Sequence, residues 1–552
     1  MALSLRAEQK SITDLFTSGE DIYVIPEYQR PYSWNKDTCY QFYLDITTSF
    51  LQNTDYFIGN IVMARGNEER KKPCVVDGQQ RLITLWIWIK VMTLLHPDKV
   101  RLKRLLEVES VLSDVSLPRI NSKVYEHDDQ ANLESVMAFE EESIRQAISL
   151  YNLNKGDIGE SVLSRIEANA LYLFTWMSEF YDNLSEQKQE IAFLEFFLER
   201  VYLLPIELDG KDVAEASDRA LTIFETINNR GQALEDSDIF KARLFKSAKA
   251  DEREDEFINR WQDFNEVCGS LNIRVDDLFR YYYHILRGQE GETNNEGSLR
   301  EYLTTSKYSA LNVKSYNEVI SDLTTITDIL YWLNAPDQLP KDIARWLQLI
   351  NQYTNQYPKY ALVNYLFVEG FDDAEKLKRF LKSIVRYYYY RGATIQVKYE
   401  TYKINKLVAE GSPVMSYDCG DITSEYFDHL GLLRNGYALL AYYLINPDAY
   451  VSSVYFDKLI YNGDMYDLPS DWQDKSYEDI KNNIANIVVL DIPKKTMRIR
   501  YKGNYYAKSK IKEVRSLIGR EGTVKLDDFK KREKQLKKVL LDFFVNDDYE
   551  QH

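Results

Sequence analysis

Cysteine, histidine, glycine and proline are all scarce in this 552-residue chain, and most of these shortages exclude something. Four cysteines (Cys39, Cys74, Cys268, Cys419) lie far apart with no metal-ligand spacing, which points to a reduced, cytoplasmic protein rather than a disulfide scaffold. No apolar run reaches membrane-spanning length: Leu82 to Leu95 is too short and contains Lys90. The first residues, Met-Ala-Leu-Ser-Leu-Arg-Ala-Glu, lack the basic-then-apolar pattern of a secretion signal. Neither a Gly-x-x-x-x-Gly-Lys sequence nor an internal repeat occurs. Only 22 Gly and 13 Pro stand against 13% aromatic residues, which excludes low-complexity disorder. What is present is a chain long enough for three or four domains with sizeable cores, mostly helical and rich in Tyr.

A net charge of −17 excludes a uniformly basic nucleic-acid binder, but the charge is unevenly spread. Residues 494–538 hold 17 Lys or Arg and 5 Asp or Glu, a local +12 that leaves −29 for the rest. An acidic body with one basic region suits contact with a phosphate backbone.

Two early segments concentrate chemistry. In Pro73–Trp88 a short β-branched run, Val75-Val76, meets a tight Asp77-Gly78 turn and then a strongly apolar helix. Such a handover leaves backbone N–H groups pointing out of the helix N-terminus, which favours an anion. Gln79, Gln80 and Arg81 sit in the first turn. The helix dipole disfavours a cation there, so Arg81 calls for a reason, and a phosphate would supply one. In Ile25–Trp34, Pro26 and Pro31 hold the chain extended and present Tyr28, Gln29, Arg30, Tyr32 and Trp34 from a stiff loop. The residues alone leave two readings open: a cradle for a nucleotide, or a loop salt bridge with core aromatics.

A third stretch, Phe224–Leu234, has helical spacing at Ala220, Ile223, Phe224 and Ile227, and Gly231 suits the position that ends a helix. Asn228 and Arg230 then fall at a helix end, where ordinary capping is the simplest role.

Together these segments resemble the N-terminal domain of the GmrSD-type modification-dependent restriction family. Its hallmarks are an Ile-Pro-x-Tyr-Gln-Arg-x-Tyr-x-Trp box, a Phe-x-Gly box and an Asp-Gly-Gln-Gln-Arg box. Ile25–Trp34, Phe57–Gly59 and Asp77–Arg81 supply all three in that order. Phe224–Leu234, with Asp238 and Lys241 after it, matches a fourth signature, Phe-x-x-Ile-Asn-x-Arg-Gly-x-x-Leu. The resemblance implies a ParB/sulfiredoxin-like fold and NTP binding or hydrolysis that regulates nucleic-acid cleavage, usually in anti-phage defence. It implies a nucleotide-binding set of Tyr28, Gln29, Arg30, Asn60, Asp77, Gly78, Gln79, Gln80, Arg81, Asn228 and Arg230. Arg30 and Arg81 would bind phosphates, Gln29, Gln79 and Gln80 would orient phosphate or water, and Asp77 would hold a metal or polarise water. Asp77 and Gln80 are thus the catalytic candidates of an NTPase. The cofactor is an NTP (ATP, GTP and CTP are not distinguished), with Mg²⁺ a candidate companion.

Farther along, two tyrosine runs, Tyr281–Tyr283 and Tyr387–Tyr390, favour packing between helices over stacking on nucleic acid. Many relatives carry a C-terminal HNH nuclease, and Ile484–Leu490 followed by Tyr505-Tyr506-Ala-Lys508 resembles its second half. Lys494-Lys495-Thr496 replaces the expected asparagine, and Phe456–Ile460 stands where a histidine belongs. Of five histidines (His96, His127, His284, His429, His552) only His429 precedes the terminus in this part, and it reads as a packed or surface residue. An imidazole is needed to take the proton from the attacking water, so the module reads as degenerate. Arg498, Arg500, Lys502, Lys508 and Lys510 interleave cations with aromatic rings and are the expected DNA-binding set.

The expected architecture is α+β and predominantly helical. A ParB/sulfiredoxin-like nucleotide-binding domain spans 1–248 with a helical insertion near 106–194, a helical domain spans 249–408, and a basic, degenerate HNH-like module spans 409–552. The expected role is the NTP-binding subunit of a modification-dependent restriction system, with phage DNA and a nuclease-bearing partner subunit or a homo-oligomer as partners and no membrane. The alternatives are an active endonuclease with substitute metal carboxylates (Asp457, Asp464 or Asp491) and a non-catalytic binding subunit.

Overall fold

The computed structural model describes residues 5–17, 21–67, 72–109, 116–124, 128–151, 163–184, 187–213, 215–217, 219–220, 235–305, 310–335, 338–391, 397–412, 422–428, 430–519 and 522–545. It is an α+β protein, mostly helical, in two compact units, Met1–Ile258 and Asn259–His552. The division expected at 408/409 runs inside the second unit. No helix among the described residues is long and apolar enough to cross a membrane.

Among its described residues the first unit has nine strands: β1 (Leu5–Ala7), β2 (Lys10–Ser11), β3 (Tyr23–Ile25), β4 (Tyr56–Gly66), β5 (Cys74–Asp77), β6 (Glu107–Glu109), β7 (Ser116–Pro118), β8 (Ile120–Ser122) and β9 (Val201–Gly210). Seven form one mixed sheet in the order β1-β9-β4-β5-β3-β8, with β2 also on β9; β6 and β7 make a separate antiparallel ribbon. The two long strands, β4 and β9, run parallel in its middle. The expected strand Val201–Leu208 is β9.

Sequence placed only helices in 106–194, and here the structure differs. The segment also supplies β8, which extends the main sheet beside β3. Its helix Arg165–Asp182 sends Leu171, Leu173, Phe174 and Met177 into the same core as the helix Gln79–Leu95. That second helix is buried on every side, including Trp86 and Trp88, which explains its unbroken apolar run. A smaller core (Val62, Ala64, Cys74, Val76, Ile206, Leu208) covers the opposite sheet face. Alternation along β5 sends Val75 into the large core and Val76 into the small one.

In the second unit the tyrosine runs are interior. Tyr281, Tyr282 and Tyr283 are buried, as are Tyr387, Tyr388 and Tyr389. Hydroxyls in both runs are bonded: Tyr282 donates to Asp322 at 2.9 Å, Tyr389 to the Leu349 carbonyl at 2.8 Å, and Tyr388 pairs with Thr401 at 2.6 Å. Arg386 is buried too and donates to the Phe544 carbonyl at 2.7 Å. Core packing therefore accounts for these runs. Near the end of the chain, β10 (Tyr455–Lys458) and β11 (Ile487–Leu490) pair antiparallel, and the helix Ile499–Tyr506 follows.

Candidate functional site

The expected strand-to-helix handover is present. β5 ends at Asp77, Gly78 takes the helix N-cap in the left-handed region (φ 87°), and the helix begins at Gln79. The cap residue, a glycine, has no side chain to cap this end. Arg81 reaches back across it: Nη1 donates to the Asn60 carbonyl at 2.7 Å, and Nη2 lies 3.4 Å from an Asp77 carboxylate oxygen. Asn60 lies beyond the last β4–β5 pair, Val62 with Asp77, and at a register shift between β4 and β9. That bulge is made by Gly59, whose φ of 128° few other residues adopt. A Cβ there would also stand 2.6 Å from Arg81 Nη1.

The proline-braced loop is locked to the same helix turn. Gln79 donates to the Arg30 carbonyl at 2.8 Å. Gln80 donates to the Pro31 carbonyl at 3.1 Å and accepts from the Ser33 N–H at 2.7 Å. Gln29 donates to the Val76 carbonyl at 2.9 Å. All three amides are buried and bond to backbone, with one further bond from the Ser33 hydroxyl to Gln80, so they build the site's walls. The Gln79 side-chain amide oxygen is buried with no hydrogen-bond partner among the described residues. Tyr32 is held by Thr84 at 2.7 Å and Asn169 at 3.1 Å.

Asp77 sits where these parts meet. Burial pushes its carboxyl above the usual range, opposed in turn by Arg81, the Gly78 N–H and Arg30. Arg81, in the helix, touches this carboxylate, and Arg30, in the loop, acts on it through its charge alone. Arg30 itself is exposed and lines a cleft of about 400 Å³ with Ser33, Asp129, Asn132, Ser164 and Arg165. Arg165, which donates to the Ser33 carbonyl at 2.7 Å, was missed by sequence reasoning. The Ser164-x-x-Glu167 capping box is the signal that could have placed it at a helix start.

Tyr28 is directed elsewhere. It lines a cavity of about 470 Å³ with Glu27, Cys74, Ser217, Phe245 and Lys246, and neither Arg30, Asp77 nor Arg81 lines that cavity. Asn228 and Arg230 lie outside the described residues, as does His429.

Residues 12–245 match the GmrSD restriction endonuclease, N-terminal domain, family. The match covers under half of the chain and includes the three interlocked boxes. None of the curated proteins compared with the chain matches it.

The C-terminal expectations need two corrections. Lys502, expected on a DNA-binding face, is fully buried: its ammonium lies 3.6 Å from Asp457, over the Tyr461 ring at 4.3 Å, and bonds the Leu459 carbonyl at 3.0 Å. Burial pushes its pKa down, opposed by Asp457 and Asp464. Arg498, Arg500, Lys508 and Lys510 are exposed. The substitute metal carboxylates do not converge on an open site either. Asp457 accepts from Tyr461 at 2.7 Å and Tyr506 at 2.8 Å. Asp464 accepts from the Tyr461 and Ile499 N–H groups at 2.8 and 3.0 Å, and Asp491 from the Lys510 N–H at 2.8 Å. No group of three or more His, Cys, Asp or Glu among the described residues could hold a metal.

Proposed function

We propose that the first unit is a ParB/sulfiredoxin-like domain that binds a nucleoside triphosphate at the start of the Gln79 helix. On this reading the chain is the nucleotide-binding subunit of a DNA restriction system. The observation that supports it is Arg81 against Asp77, with the charge of Arg30 felt by the same carboxylate, at a helix N-terminus whose cap residue is a glycine. Arg30 and Arg81 hold phosphates, Gln29, Gln79 and Gln80 position the loops that carry them, and Asp77 receives a proton or faces the metal. Mg²⁺, where present, is held mainly by the phosphates, with Asp77 as a protein carboxylate.

The C-terminal part is read as a degenerate HNH-like module that contacts DNA through exposed cations while cleavage comes from a partner subunit. Lys502 beside Asp457 supports this, because an ammonium already neutralises that carboxylate. Nucleotide occupancy gates DNA engagement, and the setting is anti-phage defence in the cytoplasm. Calorimetric titration of each NTP into wild type and Arg81→Ala, with phosphate release followed in parallel, tests the nucleotide assignment and its turnover. Plasmid incubated with the purified chain and Mg²⁺ or Mn²⁺ is expected to stay intact. Nicking abolished by Asp457→Asn would restore the endonuclease reading.

A further inference from the structure

The exposed cations of the C-terminal part are accompanied by exposed flat rings, and the two occur together. Along the helix Ile499–Tyr506 and just beyond it, Ile499, Lys502 and Tyr506 face inward, while Arg500, Tyr501, Asn504 and Lys508 face out. The outward four recur at helical spacing, so they form one stripe. Tyr501 is 57% exposed, with the Arg500 guanidinium 5.1 Å from its ring centre. Beside the start of this helix lies the turn Asn462–Asp467, fixed there by the bond from the Ile499 N–H to Asp464. It carries Tyr466, 93% exposed, between the two residues that hold Arg498: the Gly463 carbonyl and, at 3.9 Å, Asp467.

We propose that this face binds an unpaired DNA strand, with phosphates on Arg498, Arg500 and Lys508 and bases stacked on Tyr466 and Tyr501. The inference rests on the reading that the C-terminal part contacts DNA and adds which form of DNA it takes. Charge selects a polyanion: between residues 494 and 515 eight Lys or Arg are exposed, against Glu513 as the acidic residue. The rings then choose among polyanions. A duplex keeps its bases stacked inside and offers an exposed tyrosine little, whereas every unpaired base presents a face to stack on. An acidic protein segment would meet the cations and leave the rings unused. A restriction subunit that holds a displaced strand would keep the site open for a partner's cleavage.

Fluorescence anisotropy of the full chain, with NTPs present, compares a labelled strand of about 20 nucleotides, longer than the ~4–16 one binding module covers, with its duplex. The strand is expected to bind about tenfold or more tightly than the duplex. Tyr466→Ala and Tyr501→Ala are each expected to weaken strand binding about 5- to 100-fold while leaving duplex binding unchanged, and the phenylalanine variants to retain it. Duplex binding as tight as strand binding, with both alanine variants unaffected, overturns this inference and leaves the DNA reading standing. Failure to bind either form overturns both. Polyglutamate that binds as tightly as the strand marks a site for acidic protein and also overturns the inference.

Discussion

Gly59 and Asp77 show how single residues set the site. Gly59 bends β4 so that the Asn60 carbonyl meets Arg81, and it leaves the space that Arg81 Nη1 fills. Gly59→Ala is expected to cost about 1–3 kcal/mol of stability through its backbone conformation and to weaken NTP binding as Arg81→Ala does; thermal denaturation and calorimetry check both. For Asp77, burial outweighs Arg81, the Gly78 N–H and Arg30, so the folded carboxyl titrates above its unfolded value. The folded state then holds the proton longer, and stability declines as pH rises from about 4, the ordinary aspartate range, through the raised folded value. Asp77→Asn removes that decline. Melting curves across acid to neutral pH should show the variant gaining on wild type as pH rises. A wild type that instead gains on the variant would make Asp77 an ordinary structural ion pair.

At the scale of elements, the site is an interlock between a loop, a strand bulge and a helix start. Gln80 alone makes two bonds to the 31–33 backbone, at 3.1 and 2.7 Å, and accepts a third from the Ser33 hydroxyl at 3.4 Å. Gln80→Ala is expected to cost about 1–3 kcal/mol, because buried backbone groups lose their partners, and to speed amide exchange over residues 26–34 before the sheet is affected. The C-terminal ββα segment has its own interlock in Lys502 and Asp457. Lys502→Ala strands a buried carboxylate and is expected to cost about 3–5 kcal/mol, where Arg500→Ala leaves the melting temperature unchanged. Sequence made the strand–turn–helix of residues 75–95 readable, because β-branching, Asp-Gly and an apolar run are local signals. It misplaced Lys502 because local alternation of cations and aromatics cannot reveal that one of them faces inward. β8 stayed hidden for a related reason: Ile120–Ser122 is a strand only because β3 lies beside it.

Over the whole molecule, the polarity seen in sequence has a structural counterpart in exposed lysines and arginines of the C-terminal part, while Arg532 is half-buried and turned to backbone carbonyls. It bonds the Ala485 and Ile487 carbonyls at 3.1 and 2.9 Å, and burial pushes its pKa down to about 10. Local charge was therefore legible, and the split between surface and interior cations was not. The same holds for the expected nucleotide set: Gln29, Asn60 and Asp77–Arg81 meet at one helix start, whereas Arg30 lines one cleft without Asp77 or Arg81, and Tyr28, one residue from Gln29, lines a different cavity. The central claim is that Arg30 and Arg81 belong to one phosphate cradle. Titration calorimetry on wild type, Arg30→Ala and Arg81→Ala tests it most directly. The account predicts one NTP bound per chain and about tenfold or greater weakening in each variant, the loss of a charge-assisted bond of about 1.5–3 kcal/mol. No binding of any NTP to the wild type, or binding that neither variant changes, would contradict it.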